Sequence, residues 1–560
     1  MKPATVVSVL AAGLALAACR TSDLPEPRRD RPNILLVVAD DLGYSDLGAY
    51  GGEIRTPTLN ALAESGLVAT DFYVSPRGAP TRAMLLTGVD HHLTGFGGLP
   101  RRIAPNQRGK PGYEGALNQR VVSVASVLRD AGYHTYMAGK WELGATARSL
   151  PAARGFQRSF VLLDGFASHW EDRRSAIVGH EYAGYSENGR LLYELPDGYF
   201  STRHFTDFLM ASIEEQRSDG RPFFAYLSFQ APHGPLAVPE DWRDRYAGVY
   251  DSGYDAARAG RLTRMKRRGL VRHEVKPFPG IPTVPAWSAL SDDLKHKQAR
   301  RMELYAAMVE NLDHHLGRLL DYLREIGEYG DTVVVFLSDN GTEPADRGPA
   351  GMDPRARDWL ARQFPESDVE NWGSPGSFVE YGPAWAQVGM VPFRLFKGTQ
   401  AEGGVRSPLI VSGPPVQRRG HTTHALLHVT DLAPTFLELA GAQHPSSYRG
   451  RPVLPIQGSS LVPLLAGERS ARHGPREWLG FELGGDRAIR RGDWKLVWMA
   501  PPFGIDDWRL FRLDRDPSEL WNRAAEEPDK MRELIELWDQ YVEANGVILP
   551  GPAAADLADR

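Results

Sequence analysis

The 560-residue chain has a single cysteine, Cys19, so no disulfide can form within it and its stability must come from packing. It also lacks strong charge of either sign. Its 65 Lys and Arg face 70 Asp and Glu, a net charge of −5, which argues against the basic footprint of a nucleic-acid binder. The basic run Arg264-Met265-Lys266-Arg267-Arg268 reads as a solvated helix face. Beyond the N-terminus no apolar run is long enough to cross a bilayer, and there are no internal repeats or low-complexity tracts. What remains, 42% hydrophobic and 24% charged residues, is ordinary globular composition, and the length suits two domains.

The cysteine is informative by position. Met1-Lys2 precedes an apolar stretch from Ala4 to Ala18 that is too short for a membrane span and closes in Leu16-Ala17-Ala18-Cys19. That ending resembles a bacterial lipobox, which implies cleavage before Cys19 and lipidation of its thiol. The alternative is an ordinary secretory signal with a chance cysteine. Both predict export, and the first predicts a periplasmic lipoprotein of a Gram-negative bacterium, attached to a membrane only through its lipid. Residues 1–19 are then leader, and residues 20–32, rich in Pro, Arg and Asp, a flexible tether.

From Asn33 the chain reads as an α/β protein. Asn33–Ala39, Pro222–Phe229 and Thr332–Ser338 are continuous apolar β-prone runs, the pattern of strands buried on both faces. Between them lie a helix begun by Thr56 and Pro57, an amphipathic helix from Val121 to Gly132, and a long helix whose apolar residues repeat from Tyr305 to Leu323. His314 and His315 on that helix diverge by about 100° and make a poor chelate. Strand–helix–strand alternation with polar residues at strand ends predicts an open, mainly parallel sheet with a site along one edge. The 240s to 280s read as a surface excursion, and 342–392 as a long loop over the site. From about residue 450, Trp478–Leu483, Arg487–Trp498 and Trp508–Leu513 read as short aromatic-rich strands, followed by a helix from Pro528 to Ala544, a small antiparallel α+β unit.

Two carboxylates, Asp40 and Asp41, end the first strand, and Asp339-Asn340-Gly341 ends the third. Adjacent carboxylates at a buried strand end suit a hard cation, because like charges need a compensating ion to stay ionised; capping aspartates in a turn are the bland alternative. The stretch Ser75-Pro76-Arg77-Gly78-Ala79-Pro80-Thr81-Arg82-Ala83-Met84-Leu85-Leu86-Thr87-Gly88 joins an apolar lead-in to a helix with a Gly stop, and aims a helix start at whatever anion binds there.

That stretch closely resembles the sulfatase signature, Cys or Ser-x-Pro-x-Arg followed by Ala-x-Leu-Leu-Thr-Gly. Further matches are Gly139-Lys140-Trp141-Glu142-Leu143-Gly144, Ala231-Pro232-His233, Lys397-Gly398-Thr399 and the Asp40-Asp41 and Asp339-Asn340 pairs. The resemblance is to bacterial arylsulfatases of the alkaline-phosphatase-like superfamily and covers nearly all of the chain from Pro32. It implies an α/β fold, a large mixed, mainly parallel sheet sandwiched by helices over residues 33–450, with a smaller antiparallel subdomain over 451–560. It implies a Ca2+ site at Asp40, Asp41, Asp339 and Asn340, and sulfate contacts from Arg82, Lys140, His233 and Lys397. The expected ligand is a small sulfated aryl or sugar ester, or another oxyanion.

Two positions depart from the family. Its nucleophile is formylglycine, made by oxidising a Cys or Ser, and here that position is Gly78, which has no Cβ to oxidise. Ser75 and Thr81 read as a turn serine and a helix-start threonine. The His of Gly-Lys-Trp-His is Glu142, a carboxylate beside an anionic substrate. At about 4 Å and an effective dielectric near 20 that repulsion is on the order of 4 kcal/mol, roughly a thousandfold in binding, unless Lys140 pairs with it. Three readings stay open: a sulfatase-family protein without formylglycine chemistry that keeps Ca2+ and anion binding; a sulfate- or phosphate-ester hydrolase in which Glu142 is general base for a metal-bound water; and an ordinary arylsulfatase in which Gly78 is an artefact.

Overall fold

A computed structural model describes residues 31–346, 354–468 and 477–551. The leader, Cys19 and most of the tether lie outside the described residues. The large sheet comprises β1 (Asn33–Ala39), β2 (Leu67–Tyr73), β3 (His134–Lys140), β4 (Arg158–Leu162), β5 (Tyr185–Glu187), β6 (Arg190–Leu192), β7 (Phe223–Ser228), β8 (Thr332–Ser338), β9 (Arg406–Ser412), β10 (His421–Thr423) and β11 (Leu427–His428). Their order is β10-β2-β9-β8-β1-β7-β3-β4-β5-β6, with β11 also paired to β2. The central strands β8, β1, β7, β3 and β4 run parallel, and β9, β5 and β6 make the antiparallel pairings.

Strand alternation explains the layers. Leu35, Val37 and Ala39 pack on one face against the helix Asp292–Glu325 through residues such as Leu304 and Met308. Ile34, Leu36 and Val38 pack on the other against Leu85, Leu86, Leu128 and Phe436, on the helices Gly78–Thr87, Val124–Asp130 and Leu432–Leu439. Every residue of β1, β3, β7 and β8 is buried, which is why β1, β7 and β8 read as apolar runs. Each such Leu, Ile or Val contributes roughly 1.5–3 kcal/mol by leaving water.

Four expectations change. The helix read over 121–132 is only Val124–Asp130, because Ser123 caps it, its side chain accepting from Ser126 N. Thr56 does not cap the helix Pro57–Ser65; its hydroxyl accepts from Gly48 N. The N–H groups of Thr58 and Leu59 donate instead to the Asp313 carboxylate, a cap supplied from the long helix. The 240s to 280s are not a surface excursion: the helix Gly253–Arg267 buries Arg261 completely against Asp46 and Glu53. The 342–392 stretch is not one loop, since it contains the helices Pro354–Gln363 and Gly382–Gly389.

A two-stranded ribbon, β12 (Ser447–Tyr448) with β13 (Arg451–Pro452), precedes the C-terminal sheet. That sheet is β14 (Trp478–Leu483), β15 (Asp486–Arg491), β16 (Trp494–Met499) and β17 (Asp507–Arg512), antiparallel in that order. The helix Pro528–Asn545 covers one face through Leu534, Trp538 and Tyr541. The other face is tied to the large sheet by buried charge. Lys495 Nζ sits 2.8 Å from Glu402 and 3.1 Å from Glu519; on the helix-covered face, beside Tyr541, His92 Nε2 is 2.7 Å from Glu482.

Candidate active site

The residues that the resemblance assigns to metal and sulfate, with Gly78 and Glu142, meet at the C-terminal ends of the parallel strands. Asp40 and Asp41 follow β1, Lys140 ends β3, His233 follows β7, and Asp339 and Asn340 follow β8. Gly78 begins the fully buried helix Gly78–Thr87, and Arg82 lies four residues on, on the same side of it. The convergence follows from topology, since parallel strands put all their C-terminal ends at one edge.

The charges are closely interlocked. Arg82 Nη2 donates to Asp339 Oδ2 at 2.8 Å and Nε at 3.2 Å, while Nη1 reaches Tyr226 OH, Ser228 Oγ and Lys140 O. Lys140 Nζ donates to Asp40 Oδ2 at 2.5 Å. Lys397 Nζ donates to both oxygens of Asp41, at 2.6 and 2.9 Å, and lies 3.1 Å from Glu343. His233 Nδ1 donates to Gly234 O, which turns Nε2 toward Asp41 Oδ2, 3.5 Å away. Asp41 takes φ +67 and Glu142 φ +58, a left-handed backbone that costs non-glycine residues and clusters at functional sites.

Burial sets the electrostatics. It pushes the Asp40 carboxyl well above the usual range against the pull of Lys140, with Asp339 and Asp41 adding to the rise. Burial likewise raises Asp41, opposed first by Lys397. Asp339 is buried too, yet Arg82, Lys140 and Lys397 together hold it below the ordinary value. The Lys140 and Lys397 ammoniums are raised because their carboxylate partners, Asp40 and Asp41 foremost, outweigh burial.

A divalent cation fits this donor set. Asp40 Oδ1 and Asn340 Oδ1 are buried with no hydrogen-bond partner, although Asn340 Nδ2 donates to Asp41 Oδ1 at 2.6 Å. One carboxylate and one amide oxygen left bare beside two more carboxylates are hard oxygen ligands lacking a positive partner. Asp40, Asp41 and His233 also present atoms close enough together to share an ion. Glu343 adds to the acidic side, so that Asp40, Asp41, Asp339, Glu142 and Glu343 interlock with Arg77, Arg82, Lys140 and Lys397.

At Gly78 a β-carbon would stand 2.4 Å from Asp339 Oδ2 and 3.2 Å from Glu142 Oε2. The space a side chain would need is thus bordered by two carboxylates. Glu142 is held by charge, 3.6 Å from Lys140 Nζ and 4.0 Å from Arg82 Nε, but its Oε2 accepts no hydrogen bond. Thr81 turns back on its own turn, accepting from Ser75 N and donating to Ser75 O. A cavity of about 450 Å3 opens over Gly78, Lys140, Glu142, His233 and Lys397, large enough for a small ester.

Sequence reasoning missed Glu343, Tyr226 and Ser228, which hold Lys397 and Arg82, and the 163–166 turn that walls the cavity beside Glu142. Tyr226 and Ser228 carry a weak signal as polar residues in an otherwise apolar strand. Glu343 carries none, because only the turn after β8 brings it to Lys397.

Comparison with known proteins agrees with this fold. The sulfatase family model matches residues 32–442, and that for the C-terminal region of N-sulphoglucosamine sulphohydrolase matches 395–544. An uncharacterized sulfatase of Schizosaccharomyces pombe is 39% identical over 92% of this chain and 94% of its own. The arylsulfatase of Klebsiella aerogenes is 38% identical over 82% of this chain and 95% of its own. A protein solved in complex with its substrate D-glucosamine-2-N,6-O-disulfate aligns with a TM-score of 0.58 at 21% identity, over 92% of this chain and 98% of that one. With a family match across most of its length and an arylsulfatase relative well above 30% identity, the chain belongs to the sulfatase family.

Proposed function

We propose that this chain binds Ca2+ and a sulfated aryl or sugar ester in the cavity above Gly78, and does so without formylglycine chemistry. The observation that carries the reading is the β-carbon position of Gly78: the chain has no side-chain atom there to act as nucleophile, and the carboxylates of Asp339 and Glu142 crowd that position. The cation would be held by Asp40, Asp41, Asp339 and Asn340, and would neutralise them and draw electron density from a bound oxyanion. With the carboxylates so balanced, Lys140, Lys397, Arg82 and His233 are freed to orient the oxyanion by charge-assisted hydrogen bonds. The disulfated glucosamine bound by a structural neighbour, and the arylsulfatase relative, support a sulfated ligand.

The test is Ca2+ and sulfate binding by calorimetry, together with aryl sulfate and aryl phosphate turnover, for the native protein and for Gly78→Cys co-expressed with the maturation system. Binding without turnover in the native protein is the expected result. Turnover by the native protein at a rate normal for an arylsulfatase would overturn it.

A second reading rests on Glu142, whose bare Oε2 faces the space beside Gly78. There Glu142 takes a proton from an attacking water, giving slow ester hydrolysis. Native turnover that Glu142→Gln abolishes would favour this reading over the first. For location, the reading is a lipid-anchored periplasmic protein, and loss of fatty-acid labelling in Cys19→Ser tests it.

A further inference from the structure

Away from the catalytic cavity, a second cavity of about 310 Å3 lies between the loop after β3, the start of the helix Val124–Asp130, and the ribbon β12–β13. Its charged lining is entirely basic: Arg148, Arg154, Arg449 and Arg451, with no Asp or Glu. Among the described residues none of the four pairs with a carboxylate, although the chain carries many surface ion pairs. The carboxylate at the edge, Asp130, is already engaged by Tyr448 OH and Arg129.

Arg154 is the core of this cluster. It is 5% exposed, and its guanidinium meets only neutral acceptors, Nη1 donating to Asn118 O at 2.9 Å and Nη2 to Leu117 O. Its Nε is buried with no partner. Burial, then the charge of Arg451, pulls this group down to about 10. A guanidinium buried beside a second one, with a donor unspent, is costly to keep unless an anion completes it. Ser123, Ser126 and Gln119 add neutral polar groups to the wall.

We propose that this cavity is a second oxyanion site, taking a sulfate or phosphate group on Arg154, Arg449, Arg451 and Arg148. Gly144 and Ala145 line the catalytic cavity, and Ala147 and Arg148 line this one, so one short loop separates the two. The group can therefore be a free ion or a charge further along a polyanionic chain whose end lies over Gly78.

Equilibrium dialysis against labelled inorganic sulfate, at ionic strength fixed with chloride, tests the site. In the Lys397→Gln variant, which weakens the catalytic cavity, one sulfate per chain should still bind. Adding Arg449→Gln and Arg451→Gln should weaken that remaining sulfate by about tenfold or more, the worth of charge-assisted hydrogen bonds. Both arginines are exposed, so the fold is spared, and an unchanged melting temperature without sulfate verifies it. Sulfate affinity unchanged by the two substitutions, or no saturable sulfate in Lys397→Gln, overturns the proposal, whatever happens over Gly78. A second arm compares a sulfated hexasaccharide with its monosaccharide. A gain for the longer ligand that the arginine variants lose marks a chain-binding subsite, and equal affinities with sulfate binding intact mark a site for the free ion.

Discussion

Glu142 Oε2 lies 3.2 Å from where a β-carbon on Gly78 would stand, and within ion-pair reach of both Lys140 and Arg82. The two positions at which this chain departs from the sulfatase signature are therefore neighbours in space. The carboxylate occupies room beside the missing side chain, and the two cations of the cavity floor hold it there. The repulsion expected from a lone Glu142 is thus partly offset in the free protein, and it returns when an oxyanion competes for the same cations.

Replacing Glu142 by Gln removes that competition. Sulfate affinity should rise at least tenfold, since an unscreened like charge at about 4 Å costs on the order of 4 kcal/mol at an effective dielectric near 20. Calorimetric titration with inorganic sulfate measures it, and an unchanged or weaker affinity would show that Glu142 does not compete.

Gly78→Ala should destabilise the Ca2+-free protein by about 1–3 kcal/mol, the usual cost of overfilling a packed site. The new methyl would meet Asp339 Oδ2 at 2.4 Å, and that carboxylate cannot step aside without leaving Arg82. Urea unfolding reads the difference. A variant as stable as the parent would mean that Asp339 shifts freely.

His92 links the N-terminal half to the C-terminal sheet and makes their docking pH-dependent. Burial opposes its charge, but Asp90, 2.8 Å away, and Glu482, at 2.7 Å, raise it to about 9. The folded value exceeds the unfolded value of about 6.5, so the contribution is full below that pH and fades as pH climbs through about 9. Stability should fall by about 3 kcal/mol across that window. Urea midpoints between pH 6 and 10 test it, with His92→Gln as the variant whose profile should be flat there.

Lys495 is fully buried between Glu402 and Glu519. Lys495→Met should cost about 1–3 kcal/mol, because each of two buried carboxylates loses one of its cations while keeping an arginine. Glu402 also pairs with Arg406, and Glu519 with Arg394, on the segment carrying Lys397. The variant should therefore weaken sulfate binding as well as stability, and unaltered binding at full occupancy of the native state would separate the two units functionally.

By itself the sequence determined the family and the α/β class, and it named the acidic and basic residues that the fold brings together at one sheet edge. Uninterrupted apolar runs such as Asn33–Ala39 can only be strands covered on both sides, and carboxylates at their ends are forced to one edge of a parallel sheet. Local pattern also marked three aromatic-rich C-terminal segments as strands, and the structure divides the middle one, Arg487–Trp498, into β15 and β16 at Gly492-Asp493. Tertiary structure alone decided how the charges are spent. That Asp313 caps a helix some 250 residues away in the chain, that Glu343 reaches Lys397 and that Arg261 is buried on Asp46 depend on contacts between distant segments. The adjacency of Gly78 and Glu142, and the four arginines gathered without a carboxylate, arise the same way. Coulombic and packing energies depend on separation in space, and a one-dimensional pattern carries that separation only where the chain is locally regular.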